Sequence, residues 1–203
     1  MKWVYDDGGR AEAGYKGTTG DCVCRAVAIA AERPYKEVYD LINEIAKGER
    51  TGKHKHKKSN ARTCVYRHTE RKLMEHYGFK WVPTMMIGSG CKVHLNEDEL
   101  PSGRIVVALS KHLTAVVDGV IHDTYDPNDR GYTVDGYGND ITTQRCVYGY
   151  YIRDEKHYVG EIVSHKGHEC IVTSVWNDDG KEGITIKPTG NYGFEVDIYN
   201  EQL

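Results

Sequence analysis

The stretch from Cys22 to Ala31, CVCRAVAIAA, limits the folds open to this chain more than any other. Its side chains are small and apolar nearly all round a helical wheel. A helix with so little polar surface belongs inside a protein rather than on it. Asp21 stands just before it, where a carboxylate can accept the unpaired N–H groups of the first turn. A helix start also carries the positive end of the macrodipole, which eases the ionisation of a thiol placed there. Cys22 occupies that place. Two readings follow from this stretch: Cys22 and Cys24 are small buried hydrophobes, or one of them is a nucleophile that needs a base. Cys22 is favoured over Cys24, because the helix-terminal effect fades within the first turn.

The base is sought as a histidine on a rigid element, its second nitrogen oriented by a carboxylate or amide. KHLTAVVDGVIHDTYDP, residues 111–127, contains both. Asp118-Gly119 between two β-rich runs is a strong two-residue hairpin signal. That turn pairs Val117 with Val120 and sets His112 opposite Tyr125. Residues 112, 114 and 116 then share a face with 121, 123 and 125. Asp123 lies on the face of His112, one diagonal step away. Asp126 falls on the other face unless a bulge intervenes, and remains the rival acid. His122 also falls on the other face and is the weaker base.

The rest of the chain supplies the frame. Its 203 residues suffice for one medium domain and a small one. A net charge of −3 gives no general attraction to nucleic acid or anionic membrane. No run approaches the roughly 20 apolar residues of a membrane span, and MKWVYDDGGRAEAG lacks the features of a signal peptide. The six scattered cysteines are therefore expected as free thiols in a reducing cytosol. Cys-x-Cys is not a usual zinc spacing, so neither a metal nor a cofactor is expected.

Residues 1–17 read as irregular. Pro34 opens a second helix, PYKEVYDLINEIAK, with Val38, Leu41, Ile42 and Ile45 on one face and Gly48 as its stop. A third helix is expected from Cys64 to Tyr77. The basic loop containing Lys53–Lys58 reads as solvated, with contact to a phosphate backbone as the lesser alternative. FKWVPTMMIG, broken by Pro83, and RIVVAL, HLTAVV, VIHDTY and RCVYGYYI read as extended runs. After about Asp154, short β runs separated by HKGH, NDDGKEG and PTGNYG indicate a small antiparallel barrel. The expected class is α+β, divided into residues 1–154 and 155–203.

The order of these features resembles the papain-like cysteine peptidase fold. KHLTAVVDG resembles the family's histidine strand, and HDTY its segment where Asn or Asp is followed two positions on by an aromatic shield. The resemblance implies Cys22 as nucleophile, His112 as base, Asp123 as orienting acid and Tyr125 as shield. YDP also resembles the Asp-Pro of bacteriocin-processing and transglutaminase-like relatives, which keeps Asp126 as the rival. TTGDCVCRAVAIA, PTMMIGSGCKVHL and HLTAVVDGVIHDTYDP together resemble small papain-fold proteins of bacteriophages and prophages, over about residues 15–150. Papain-like enzymes place a Gln about six residues before the nucleophile to build the oxyanion hole, where this chain has Lys16. The hole would then use the Cys22 N–H with a donor from Thr18, Thr19 or Lys16.

The implied activity is a cysteine hydrolase acting on a protein or peptide substrate through an acyl-enzyme. A phage-encoded chain of this kind would act in the host cytoplasm or in the virion. The alternatives are acyl transfer to an amine, as in transglutaminase-like relatives, and a papain-fold binding or virion structural protein without catalysis. The C-terminal segment is expected as an SH3-like module that carries no chemistry.

Overall fold

A computed structural model describes residues 1–17, 19–51, 57–129, 144–153, 159–178, 181–190 and 195–199. Most of the Lys53–Lys58 loop, and Thr18 as an oxyanion donor, lie outside these residues. The chain is α+β, and it divides into two compact units: Met1–Leu73 with Trp81–Ile152, and Met74–Lys80 with Arg153–Leu203. The second unit takes in a short segment from the middle of the chain besides its C-terminal part.

In the first unit, α1 (Cys22–Ala31) is followed by α2 (Tyr35–Lys47) and by the start of α3 (Arg67–His76), whose last residues from Met74 belong to the second. Every residue of α1 from Val23 to Ala31 is buried, as its all-round apolarity requires. Burying each of Val23, Val27 and Ile29 contributes about 1.5–3 kcal/mol relative to exposure. Glu32 ends the helix in the left-handed conformation, with φ 53°. Helix α2 buries Val38, Ile42 and Ala46, a stripe at helical spacing, and leaves Leu41 and Ile45 half-buried.

Helix α3 begins at Arg67 rather than at Cys64. Cys64 and Asn60 exchange backbone hydrogen bonds across a tight turn, which takes up the residues expected to open the helix. Below this turn the buried Glu49 accepts from the Ser59 N–H at 2.7 Å, the Ser59 hydroxyl at 2.5 Å and the Thr69 hydroxyl. These bonds compensate a carboxylate that burial would otherwise penalise.

The strands of the large sheet are β1 (Lys2–Tyr5), β2 (Phe79–Pro83), β3 (Arg104–Leu109), β4 (His112–Val117), β5 (Val120–Asp123) and β6 (Gly149–Arg153). Their order is β1-β5-β4-β3-β6-β2. β3 pairs antiparallel with β4 and β6, and β4 with β5. Val117 opposes Val120 as expected, and the turn residues Asp118 and Gly119 both have positive φ, 46° and 77°. Ile105, Val107, Leu109, Val116 and Ile121 form a buried cluster with Leu95 and Val147.

Two expectations need correction here. The N-terminus is not irregular throughout: KWVY forms β1 and pairs parallel with β5, Tyr5 against Asp123. Its Trp3 packs against the sheet's apolar cluster, giving a four-residue strand enough buried surface to hold an edge. Nor are all six thiols free. His94 and Cys146 form an antiparallel bridge and the Val147 N–H reaches the Val93 carbonyl, so two chain segments run side by side. Cys91 and Cys146 then face each other with Cα atoms 5.7 Å apart and are disulfide-bonded.

The second unit contains β7 (Ile162–His165), β8 (His168–Asp178), β9 (Lys181–Pro188) and β10 (Val196–Tyr199), an antiparallel sheet in the order β10-β9-β8-β7. Val163, Cys170, Val172, Ile184, Ile186 and Ile198 form its core. Among the described residues β7 and β10 stand at opposite ends of this sheet rather than paired.

Candidate active site

The hairpin delivers the base. Leu109 pairs with His112 across the two-residue turn Ser110-Lys111, so His112 is the first residue of β4 and only 8 % exposed. Asp123 is the last residue of β5. Its carbonyl accepts from the Trp3 indole at 3.1 Å and from the Asp6 N–H at 3.0 Å, so the unexpected strand β1 fixes the backbone that carries the acid. The side chains meet as the hairpin register requires: Nε2 of His112 lies 2.6 Å from Oδ2 of Asp123. The ring of Tyr125 stands 5.1 Å from that of His112 and is itself 47 % exposed.

Cys22 opens α1 beside this pair. Burial pushes its thiol pKa up. A hydrogen bond with His112, one from the Leu113 N–H, and the charges of His112 and Arg25 outweigh that and bring it below the ordinary value. With Nε2 of His112 committed to Asp123, Nδ1 is the nitrogen left for the sulfur. Burial alone would lower the His112 pKa. Hydrogen bonds and charges from Asp123 and Cys22 overcome it and raise the imidazole to about 9. Burial likewise works against the Asp123 carboxylate, yet His112 and the Thr124 N–H keep it below the usual range. All three shifts favour a thiolate–imidazolium pair backed by a carboxylate.

Cys24 shares the charge of Arg25 but has no imidazole beside it. It is fully buried, its thiol directed at the Tyr35 carbonyl at 3.7 Å, and burial drives its pKa upward. Asp126 is not brought to His112. Its carboxylate accepts the Asn128 N–H at 2.9 Å within the following turn. His122 bonds through Nδ1 to Asp6 at 2.9 Å. Thr19 lines the same cleft as Cys22, but its hydroxyl donates to the Arg62 carbonyl, which commits its side-chain donor to holding the loop. The Lys16 carbonyl accepts from Arg62 and Arg10.

Asp21 sits at the cap position, but its carboxylate does not cap the helix. It is 1 % exposed and is taken instead by Arg25, by Arg10 at 3.0 Å and by the Tyr35 hydroxyl at 2.6 Å. Buried cations outbid backbone N–H groups for a buried anion. Arg25 also reaches Asp123, with Nη2 3.3 Å from Oδ1. Arg25 is a site residue that sequence reasoning missed. Its signal was there, as the single charge in an otherwise apolar helix.

A cleft of about 610 Å³ opens over Cys22 and His112. Trp81 and Tyr148 give it aromatic surface, and Arg67, Glu70 and Lys111 give it charge. The Trp81 ring lies across Gly149, where a Cβ would stand 2.3 Å from the ring, so only glycine fits beneath it. Glu70 accepts from the Tyr151 hydroxyl at 2.8 Å, and burial raises its pKa. Among the described residues no three His, Cys, Asp or Glu side chains are arranged to hold a metal ion, and no helix is long and apolar enough to cross a membrane.

No protein-family model, curated protein or solved structure matches this chain. Its functional reading therefore rests on the geometry of the site and on chemistry.

Proposed function

We propose that this chain is a cysteine hydrolase that cleaves a peptide, isopeptide or related amide bond through an acyl-enzyme on Cys22. The observation that carries the reading is a buried His112 bound at 2.6 Å to Asp123, beside a thiol at a helix start whose pKa is depressed. In this reading the thiolate attacks the carbonyl carbon, and the C–N bond breaks as the leaving amine takes the proton of His112. Water, deprotonated by the neutral imidazole, then releases the acid and restores the thiol. Asp123 holds the ring in orientation and Tyr125 covers it. The Cys22 N–H is one oxyanion donor. The reading includes a papain-like class for the first unit and an SH3-like accessory role for the second. A phage-encoded origin, with action in the host cytoplasm or the virion, belongs to the same proposal.

The test is labelling by a thiol-reactive probe, together with turnover on broad peptide and ubiquitin-like substrates. Cys22 should be labelled and Cys22→Ala should abolish turnover. Product analysis with added amines separates hydrolysis from acyl transfer. An unlabelled Cys22, with no activity lost in Cys22→Ala, would return the chain to a binding role.

A further inference from the structure

Arg25 lies one turn along α1 from Cys22 and is 7 % exposed. Its guanidinium spans two buried carboxylates, Asp21 through Nη1 and Asp123 through Nη2 at 3.3 Å. Asp21 continues the chain of contacts to the Tyr35 hydroxyl and to Arg10. Arg10 in turn donates to the carbonyls of Lys16 and Gly17, in the loop that leads to the nucleophile. One polar string, buried from Asp123 to Asp21 and exposed where Arg10 meets Lys16 and Gly17, therefore joins the acid on β5, the helix that carries Cys22 and the loop before it.

We propose that Arg25 is a positioning residue for the Cys22 reaction: it assigns the two oxygens of Asp123, so that Oδ2 alone faces His112, and ties that carboxylate to the nucleophile's helix. The proposal rests on the hydrolase reading above. A carboxylate can rotate about its terminal bond and offer either oxygen. Here Oδ1 is taken by Arg25 and by the Thr124 N–H at 2.7 Å, and Oδ2 is left for the imidazole. Without Arg25 the Thr124 bond remains, but the buried charge loses its cation and its link to α1. The fork geometry is what the task needs. A planar guanidinium reaches two carboxylates at once, whereas an ammonium is a point charge.

The experiment reads the rate of Cys22 alkylation by iodoacetamide against pH in the full chain, with Cys22 followed by peptide mass spectrometry. It needs no substrate. The charged or titratable groups that act on Cys22 are His112 on β4, Arg25 on its own helix and Tyr125 beyond β5, with Asp123 acting through His112; Cys64, Arg67, Glu70 and Lys111 line the same cleft. Wild type is compared with Arg25→Gln, Arg25→Lys, Asp123→Asn and the Arg25→Gln/Asp123→Asn pair, with folding checked by circular dichroism. Arg25→Gln should slow alkylation near neutral pH about tenfold, an upward shift of about one pH unit. The charge of Arg25 also acts on the thiol directly, so the double variant should be slower than Asp123→Asn alone, but by clearly less than the tenfold of Arg25→Gln. Arg25→Lys keeps the charge and loses the fork, so it separates field from geometry, and it also serves if Arg25→Gln does not fold. An intermediate shift in Arg25→Lys supports the proposal. A wild-type profile in Arg25→Lys, or in a folded Arg25→Gln, overturns it, as does additivity in the double variant. A wild-type inflection at the ordinary thiol value would instead overturn the hydrolase reading, so the two failures are distinct.

Discussion

Asp123→Asn tests the His112–Asp123 pair most directly. The carboxylate is 3 % exposed, and the change keeps its shape while removing its charge. Burial works to lower the His112 pKa, yet Asp123 and Cys22 raise it from 6.5 to about 9. A rise of that size is worth roughly 3 kcal/mol in favour of the charged ring. Both partners are buried, so solvent screens little of it. A folded pKa above the unfolded one gives stability that is fully present below about pH 6.5 and lost as pH rises through about 9. The variant lacks the Asp123 share of that stability. The gap between wild type and variant should therefore be widest near pH 6, at up to about 3 kcal/mol, and mostly gone by about pH 10. In a chain of this size 1 kcal/mol moves Tm by about 2–4 °C, so the gap in Tm should shrink by about 5–10 °C across that range. Paired thermal melts over the range read it. Histidines common to both proteins cancel. The depressed pKa of Asp123 itself matters only as pH falls below the unfolded value of about 3.8, far outside the range. A Tm gap that stays constant across the range would refute the charged pair.

Three further outcomes are expected. Asp126→Ala should leave turnover within about twofold of wild type while Asp123→Ala lowers it about 100-fold or more, because among the described residues the Asp126 carboxylate is held by the Asn128 N–H and not by His112; the reverse ranking would mean that the hairpin argument picked the wrong acid. Gly149→Ala should cost about 1–3 kcal/mol and alter tryptophan fluorescence, since the new Cβ meets the Trp81 ring; an unchanged melt and spectrum would show that the ring is not seated there. Replacing Cys91 and Cys146 together by Ser opens a link across a sequence separation of 55 and should lower stability by up to about 4 kcal/mol. Cys22 should still alkylate in that variant, and a stability equal to wild type under non-reducing conditions would count against the bridge.

What could be read in advance follows the range of the interactions. The buried helix and the β3–β5 meander rest on local periodicity and turn chemistry, and both formed where the pattern put them. The Asp118-Gly119 turn alone set a register that carried His112 to Asp123. Strand β1 was missed because four residues carry too little pattern, and its partner β5 lies more than a hundred residues away. The disulfide was missed because the default for scattered cysteines is a free thiol. What brings Cys91 to Cys146 is a non-local pairing of two irregular segments. Asp21 was placed correctly and given the wrong partner, because a local cap competes with cations that only the tertiary structure delivers.

Those cations explain how so polar a site can be buried. Two carboxylates, Asp21 and Asp123, face two guanidiniums, Arg10 and Arg25, and the four charges sum to zero. Cys22 and His112 add either a neutral thiol and imidazole or a thiolate and imidazolium, and each form leaves the total unchanged. Passing the proton from sulfur to nitrogen therefore creates no uncompensated charge in the interior, where one would cost several kcal/mol. Charging His112 beside a neutral thiol, or Cys22 beside a neutral ring, does create one. The two groups should accordingly titrate as a unit rather than singly. Placing Arg25 one turn behind the nucleophile puts part of this balance on the helix that also sets the sulfur. Removing it would take from Asp123 the guanidinium that contacts it and leave the buried group one positive charge short.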